Sequence, residues 1–253
     1  MEDETLGGLP RGVALSWGLI KEPQRGPKRE MSIQKIVESA IGIADKDGLS
    51  AVSMNRVAAS LGFTAMSLYR YIPGKDELLL LMQDAVCEID LLTAHEITDW
   101  REGMREYVRK TVGVFQDHPW FGDIPISGVP MTPNNLGIID WVLRTMRGLP
   151  LRDNEKMSFV LLLSSYARVY GMLQRDMNRA VQSGISPEAF GGIPFTSALK
   201  ILVTADRYPD LQPVVMSGAY TDEGQNEEDV INDFEFGLER ILDGIEQYVN
   251  RKK

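Results

Sequence analysis

Ser53-Met-Asn-Arg-Val-Ala-Ala-Ser-Leu-Gly62-Phe-Thr-Ala-Met-Ser-Leu-Tyr-Arg-Tyr-Ile-Pro-Gly-Lys75-Asp-Glu77 reads as two short helices around a turn. Ser53 is a suitable N-cap, because its hydroxyl accepts one of the backbone N–H groups left orphaned at a helix start. Val57, Ala58 and Leu61 recur on one helical face. Gly62 permits the sharp reversal that follows. Thr64 then caps a second helix, expected from Thr64 to Tyr71, and Pro73-Gly74 ends it. Leu68 and Ile72 face inward. Ala65, Met66, Ser67, Tyr69 and Tyr71 are left as a small polar and aromatic surface, of a size that fits a DNA major groove.

The segment resembles the DNA-binding domain of the TetR family of transcriptional regulators. Val57-Ala58 with Leu61-Gly62, Ser67 to Tyr71 and Lys75 to Leu78 carry the resemblance. A bare helix-turn-helix is a weak signal, but the run Leu68-Tyr69-x-Tyr71-x-x-x-Lys75-x-x-Leu78 is far more specific. The resemblance implies an all-α protein with a three-helix N-terminal head and a larger C-terminal body that binds a ligand and dimerises. It also implies that Tyr69, Tyr71 and Lys75 meet DNA phosphates.

Residue chemistry adds to this. Thr64 can hold a phosphate through its hydroxyl or the helix N-terminus. Ala65 and Met66 offer apolar contact to thymine methyls, and Ser67 reaches a base edge or a phosphate. Ser53, Asn55 and Arg56 open the preceding helix near the DNA backbone. Asn55 has the donor–acceptor pair that reads adenine. Arg56 is either a phosphate contact or a solvated charge. No Arg precedes Arg70 on the second helix, which favours apolar and shape readout over guanine readout.

The 253 residues suffice for a small head plus one larger core. An apolar fraction of 43% and a charged fraction of 25% are those of a soluble globular chain. No apolar run is long enough to span a membrane, and the acidic start Met1-Glu-Asp-Glu lacks a secretory signal. The single cysteine, Cys87, fits a reducing cytoplasm. The net charge of −9 is unevenly spread. Residues 11–75 hold ten Lys/Arg against five Asp/Glu, a local +5, which leaves −14 for the rest. A basic head on an acidic body turns the head toward phosphate.

Three regions follow: a flexible basic arm at 1–29, the helix-turn-helix domain at 30–76, and a helical body at 77–253. The arm lies along DNA or is a solubilising tail. The first helix is expected from Ser32 to Lys46, with Ile33, Ile36, Val37, Ala40, Ile41 and Ala44 as its apolar stripe. A long linking helix is expected from Asp76 to about residue 93, carrying Leu78, Met82, Ala85, Ile89 and Leu92 inward. Further helices are expected near 99–117, 134–147, 153–182, 196–206 and 228–249, with a polar loop from Tyr208 to Asn226. In the last helix Phe234, Leu238, Ile241, Ile245 and Val249 form one stripe. Phe234 to Glu246 resembles the C-terminal helix of the tetracycline-repressor-like branch of the family. That branch implies a homodimer through the helices near 153–182 and 228–249, which suits a palindromic operator.

The resemblance also implies a small-molecule effector in the body. Trp100, Met104, Tyr107, His118, Trp120, Trp141, Tyr166 and Tyr170 are the candidates, since aromatics with a few polar tips suit a flat apolar molecule. Ordinary core packing is the alternative for each. No P-loop, HExxH, Gly-x-Ser-x-Gly or strand-borne Gly-x-Gly-x-x-Gly is present, so no catalytic residue, metal site or cofactor is assigned. The expected function is a DNA-binding regulator, a repressor released from its operator by an apolar ligand. Its rivals are a ligand-independent DNA binder and a helical small-molecule binder with a vestigial head.

Overall fold

The computed structural model describes residues 8–20, 31–90, 99–126, 128–182, 189–190, 193–221 and 232–252. The chain divides into two compact units, Met1–Met172 with Tyr248–Lys253, and Leu173–Gln247.

In the first unit, α2 (Ile33–Asp47) starts where Ser32 accepts the Lys35 N–H at 3.2 Å. It buries Ile36, Val37, Ala40 and Ala44. Gly48, at φ +82°, ends it in a conformation that side-chain-bearing residues rarely adopt. A 3-10 turn at Leu49–Ala51 leads to α3 (Met54–Ser60). Gly62, at φ +77°, then turns the chain, and the Phe63 N–H closes the turn on the Ala58 carbonyl at 2.9 Å. The next helix, α4, is regular only over Ala65–Leu68. Tyr69–Tyr71, expected to be helical, form a turn in which the Tyr71 and Ile72 N–H groups share the Leu68 carbonyl at 2.8 and 2.9 Å. Leu68 and Ile72 are fully buried, as their spacing predicts.

The linking helix α5 (Lys75–Ala85) is shorter than expected. The Asp84 carbonyl accepts from Asn134 Nδ2 at 3.0 Å, and the Cys87 N–H meets that same carbonyl at 3.0 Å in place of a helical partner. Leu92 lies outside the described residues.

Residues 8–20, expected within a flexible arm, are ordered around a short helix α1 (Arg11–Ser16) that packs on α5. Val13, Ala14 and Leu15 are buried, and the Trp17 indole donates to the Met131 carbonyl at 2.8 Å. The rest of the expected arm, 1–7 and 21–29, lies outside the described residues.

The same unit holds α6 (Trp100–Asp117), a 3-10 turn at Pro119–Asp123, α7 (Pro133–Thr145) and the first part of α8 (Asp153–Gln182). Val114, Trp120 and Ile124 share one apolar cluster with the core of α2–α5. The helix-turn-helix and α5–α7 lie in the same compact unit.

In the second unit, α9 (Phe195–Leu202) is shorter than expected and packs with α10 (Leu211–Met216), a helix within the segment read as a polar loop. Ala189–Phe190 pair antiparallel with Ile193–Pro194, a two-residue ladder the periodicity does not signal. The last helix, α11 (Asp233–Asn250), belongs to this unit up to Gln247 and to the first from Tyr248 on. It buries Phe234, Leu238, Leu242, Ile245 and Val249, with Leu242 taking the fully buried place expected for Ile241. No helix of the described residues is long and apolar enough to cross a membrane.

Candidate nucleic-acid interface and effector body

The DNA candidates collect where α3 and α4 begin. Ser53 is used as an N-cap, accepting the Arg56 N–H at 3.2 Å. Asn55 and Arg56 are exposed beside it. The Arg56 guanidinium is paired with Asp47, the last residue of α2, so it is already neutralised at the surface. Thr64 is extended at φ −91° and ψ 152°, and its hydroxyl lies 3.1 Å from that of Ser67. The Thr64 hydroxyl does not cap the α4 backbone, and the Ser67 N–H bonds the Thr64 carbonyl at 2.9 Å.

Met66 is 72% exposed, unusual for a large apolar side chain on a folded surface. Tyr69 and Lys75 are exposed as well. Ala65 and Tyr71 differ: both are partly buried against the apolar cluster beneath α4. The described surface therefore presents Thr64, Met66, Tyr69 and Lys75, while Ser67, like Ala65 and Tyr71, is partly buried. Asn55 and Arg56 stand at the start of the neighbouring helix.

The effector candidates separate into two groups. Met104, Tyr107 and Trp141 are buried and Trp100, Tyr166 and Tyr170 partly buried. Tyr166 and Tyr170 stack at 6.5 Å between centroids. Burial pushes the Tyr107 hydroxyl up to about 12, against a hydrogen bond with Ser164 that pulls the other way. Cys87 is pushed up to about 12, first by burial and then by the Asp84 charge, so its thiol stays protonated.

His118 and Trp120 are engaged elsewhere. The buried Trp120 indole donates to Asp45 Oδ1 at 2.6 Å, and His118 Nδ1 lies 2.8 Å from the same oxygen. Both polar tips therefore face the end of α2.

A second carboxylate escaped the sequence reading. Asp84 is buried, and its Oδ1 accepts the N–H groups of Asn134 and Asn135 at 3.0 and 3.4 Å. It thereby caps the N-terminus of α7 from another helix. An Asp near the end of an apolar helix stripe was the available signal. Its partner, 50 residues away, carries none.

Two family models match. That of the bacterial regulatory proteins of the tetR family covers residues 36–82, and that of the tetracyclin repressor-like C-terminal domain covers 93–249. The HTH-type transcriptional repressor DrrR1 of Streptomyces coeruleorubidus is 33% identical over 256 residues, spanning 98% of this chain and 89% of that protein. ActR of Streptomyces coelicolor, solved in complex with actinorhodin, superposes with a TM-score of 0.69 at 28% identity, covering 86% of this chain and 96% of ActR. ActR in complex with (S)-DNPA gives 0.67 at the same identity, covering 86% and 98%. With both halves matched and a repressor relative along nearly its whole length, this chain belongs to the TetR family of transcriptional regulators.

Proposed function

We propose that the protein is a homodimeric repressor in the cytoplasm that binds a palindromic operator and is released by a small, largely apolar effector. The observation that carries the DNA half is the exposed group Thr64, Met66, Tyr69 and Lys75, with the partly buried Ser67 among them, above a fully buried Leu68 and Ile72. An apolar floor of that kind holds α4 rigid while its outer face stays free for a groove. Asn55 and Arg56 extend the footprint, and Ser53 holds α3 in place. Arg56 must exchange Asp47 for phosphate to join it, so we assign it a smaller share.

The effector half is supported by the ActR complexes, in which a relative holds actinorhodin or (S)-DNPA. In this chain we assign the effector to the neighbourhood of Trp100, Met104, Tyr107, Trp141, Tyr166 and Tyr170. Release then requires that the ligand favour the conformation that cannot span the operator.

The dimer reading is supported by α8. Met157, Leu161, Leu162, Val169, Leu173 and Met177 are exposed, and they occupy one half of the helix circumference, opposite the buried Val160, Leu163, Ala167 and Gly171. Phe236 and Tyr248 add exposed apolar surface on α11.

The test is binding of the full-length protein to the DNA upstream of its own gene, as a function of salt. Saturable binding with a steep salt slope, weakened by Tyr69→Ala and reversed by actinorhodin or a related aromatic, is expected. Equal, weak binding to unrelated DNA would overturn the repressor reading.

A further inference from the structure

The helix-turn-helix is joined to the helices behind it through two carboxylates, Asp45 and Asp84. Asp45 stands in the last turn of α2, three residues before the turn at Gly48. Its Oδ1 takes the Trp120 indole N–H at 2.6 Å and lies 2.8 Å from His118 Nδ1. An ionised carboxylate only accepts, so the His118 Nδ1 carries the proton in this pair. Trp120 is 1% exposed and shares the apolar cluster of the head. The bond therefore fixes α2 against the Pro119–Asp123 turn in a direction as well as a distance.

Asp84 forms the second joint. It lies one residue before the end of α5, the helix that leaves the head. Its side chain takes two N–H groups of α7, while its carbonyl takes Asn134 Nδ2 at 3.0 Å. The Asn135 side chain in turn donates to Thr132 Oγ1 at 3.0 Å, holding the start of α7. A buried charge at the N-terminus of a 13-residue helix is compensated by orphan amides and the helix dipole. Swinging α5 away would strip it of both.

We propose that Asp45 and Asp84 are positioning residues for operator recognition: they set the angle at which the helix-turn-helix is presented, and so the half-site spacing a dimer accepts. Both carboxylates are taken up by donors of the helices behind the head rather than by the surface group around Met66. Apolar packing at Trp120 and Ile124 is non-directional and tolerates small rotations. Hydrogen bonds at two points do not. Each base pair inserted between half-sites moves one of them by roughly 3.4 Å along and 34° around the duplex axis. A loosened head would be able to follow such a shift, and a fixed one cannot.

The experiment uses full-length protein and the best duplex that it recovers from a randomised pool, rebuilt with spacers from two base pairs shorter to two longer. Asp45→Ala and Trp120→Phe open the first joint, the second keeping the ring while removing the donor. Asp84→Asn and Asn134→Ala loosen the second, the latter sparing the buried charge if the former does not fold. The expected result is a flatter spacer profile, the preference for the best spacer falling by roughly 2- to 30-fold, as for residues that tune coupling without touching a ligand. Affinity for an isolated half-site should stay unchanged. A spacer profile of wild-type shape, with affinity lowered uniformly or not at all, overturns the proposal and leaves the joints a purely structural role. The inference rests on the two-headed dimer. Wild-type protein indifferent to spacing would overturn that reading, and the inference with it, before any variant is compared.

Discussion

Gly171 shows how a single position tests the packing of α8. A Cβ built there would lie 2.6 Å from the Phe115 Cβ and 2.8 Å from its ring. Helix propensity alone would make Gly171→Ala stabilising by about 1 kcal/mol. Overpacking typically costs about 1–3 kcal/mol, and the obstacle here begins at a Cβ, which cannot rotate aside. Thermal melting should therefore show Gly171→Ala below wild type. A raised Tm would mean that α6 and α8 do not approach so closely. Lys75 gives a second test. It is exposed at the first turn of α5, and as a point charge on phosphate its loss should weaken binding on all sequences alike. Lys75→Ala is expected to lower the slope of log affinity against log salt by about one, read by fluorescence anisotropy at several salt concentrations. An unchanged slope would remove Lys75 from the interface.

Helix ends carry the argument at the next scale. Glu155 sits in the first turn of α8 and accepts the backbone N–H of Arg152 at 2.8 Å, the reach-back half of a capping box. It also accepts from Tyr248 Oη at 2.7 Å, from the Arg152 guanidinium at 2.9 Å, and from Lys252. The Lys252 ammonium is the largest of several donors that hold this carboxyl well below the usual carboxylate range. Its contribution to stability is therefore complete above the ordinary glutamate value of about 4.3. It declines as the pH falls from there toward the depressed folded value. Wild type should melt above Glu155→Gln at pH 7, with the gap narrowing below pH ~4. A gap constant from neutral to acid pH would show that the charge is not what matters. Capping also explains the length of α5. Residues 86–90 continue an apolar pattern that predicts a longer helix, but Asp84 gives its carbonyl and its carboxylate to α7.

Association belongs to the molecule as a whole. Leu161 is 68% and Val169 67% exposed on one side of α8, and solvent is a poor neighbour for both. Leu161→Glu should shift the protein toward monomer in sedimentation velocity while its helical circular dichroism persists. A dimer of unchanged affinity would place the interface elsewhere.

The sequence by itself determined the helix-turn-helix and the family, because the signals there are local: Ser53 as a cap, Gly62 with a positive φ, Leu68 and Ile72 one turn apart above a shared floor. It also marked the surface group around Met66 and Tyr69, since the inward positions leave few others to face out. Tertiary structure alone decided that residues 11–16 form a helix, because a six-residue helix has too little of its own to hold it and depends on the face of α5. It decided too that Trp120 and His118 point at Asp45, and that α5 stops at Ala85. Each of those outcomes rests on a hydrogen bond between residues 50 to 75 positions apart. Periodicity reports which side of a helix is apolar, but a polar side chain's partner is set only when the folded chain brings a distant donor within about 3 Å.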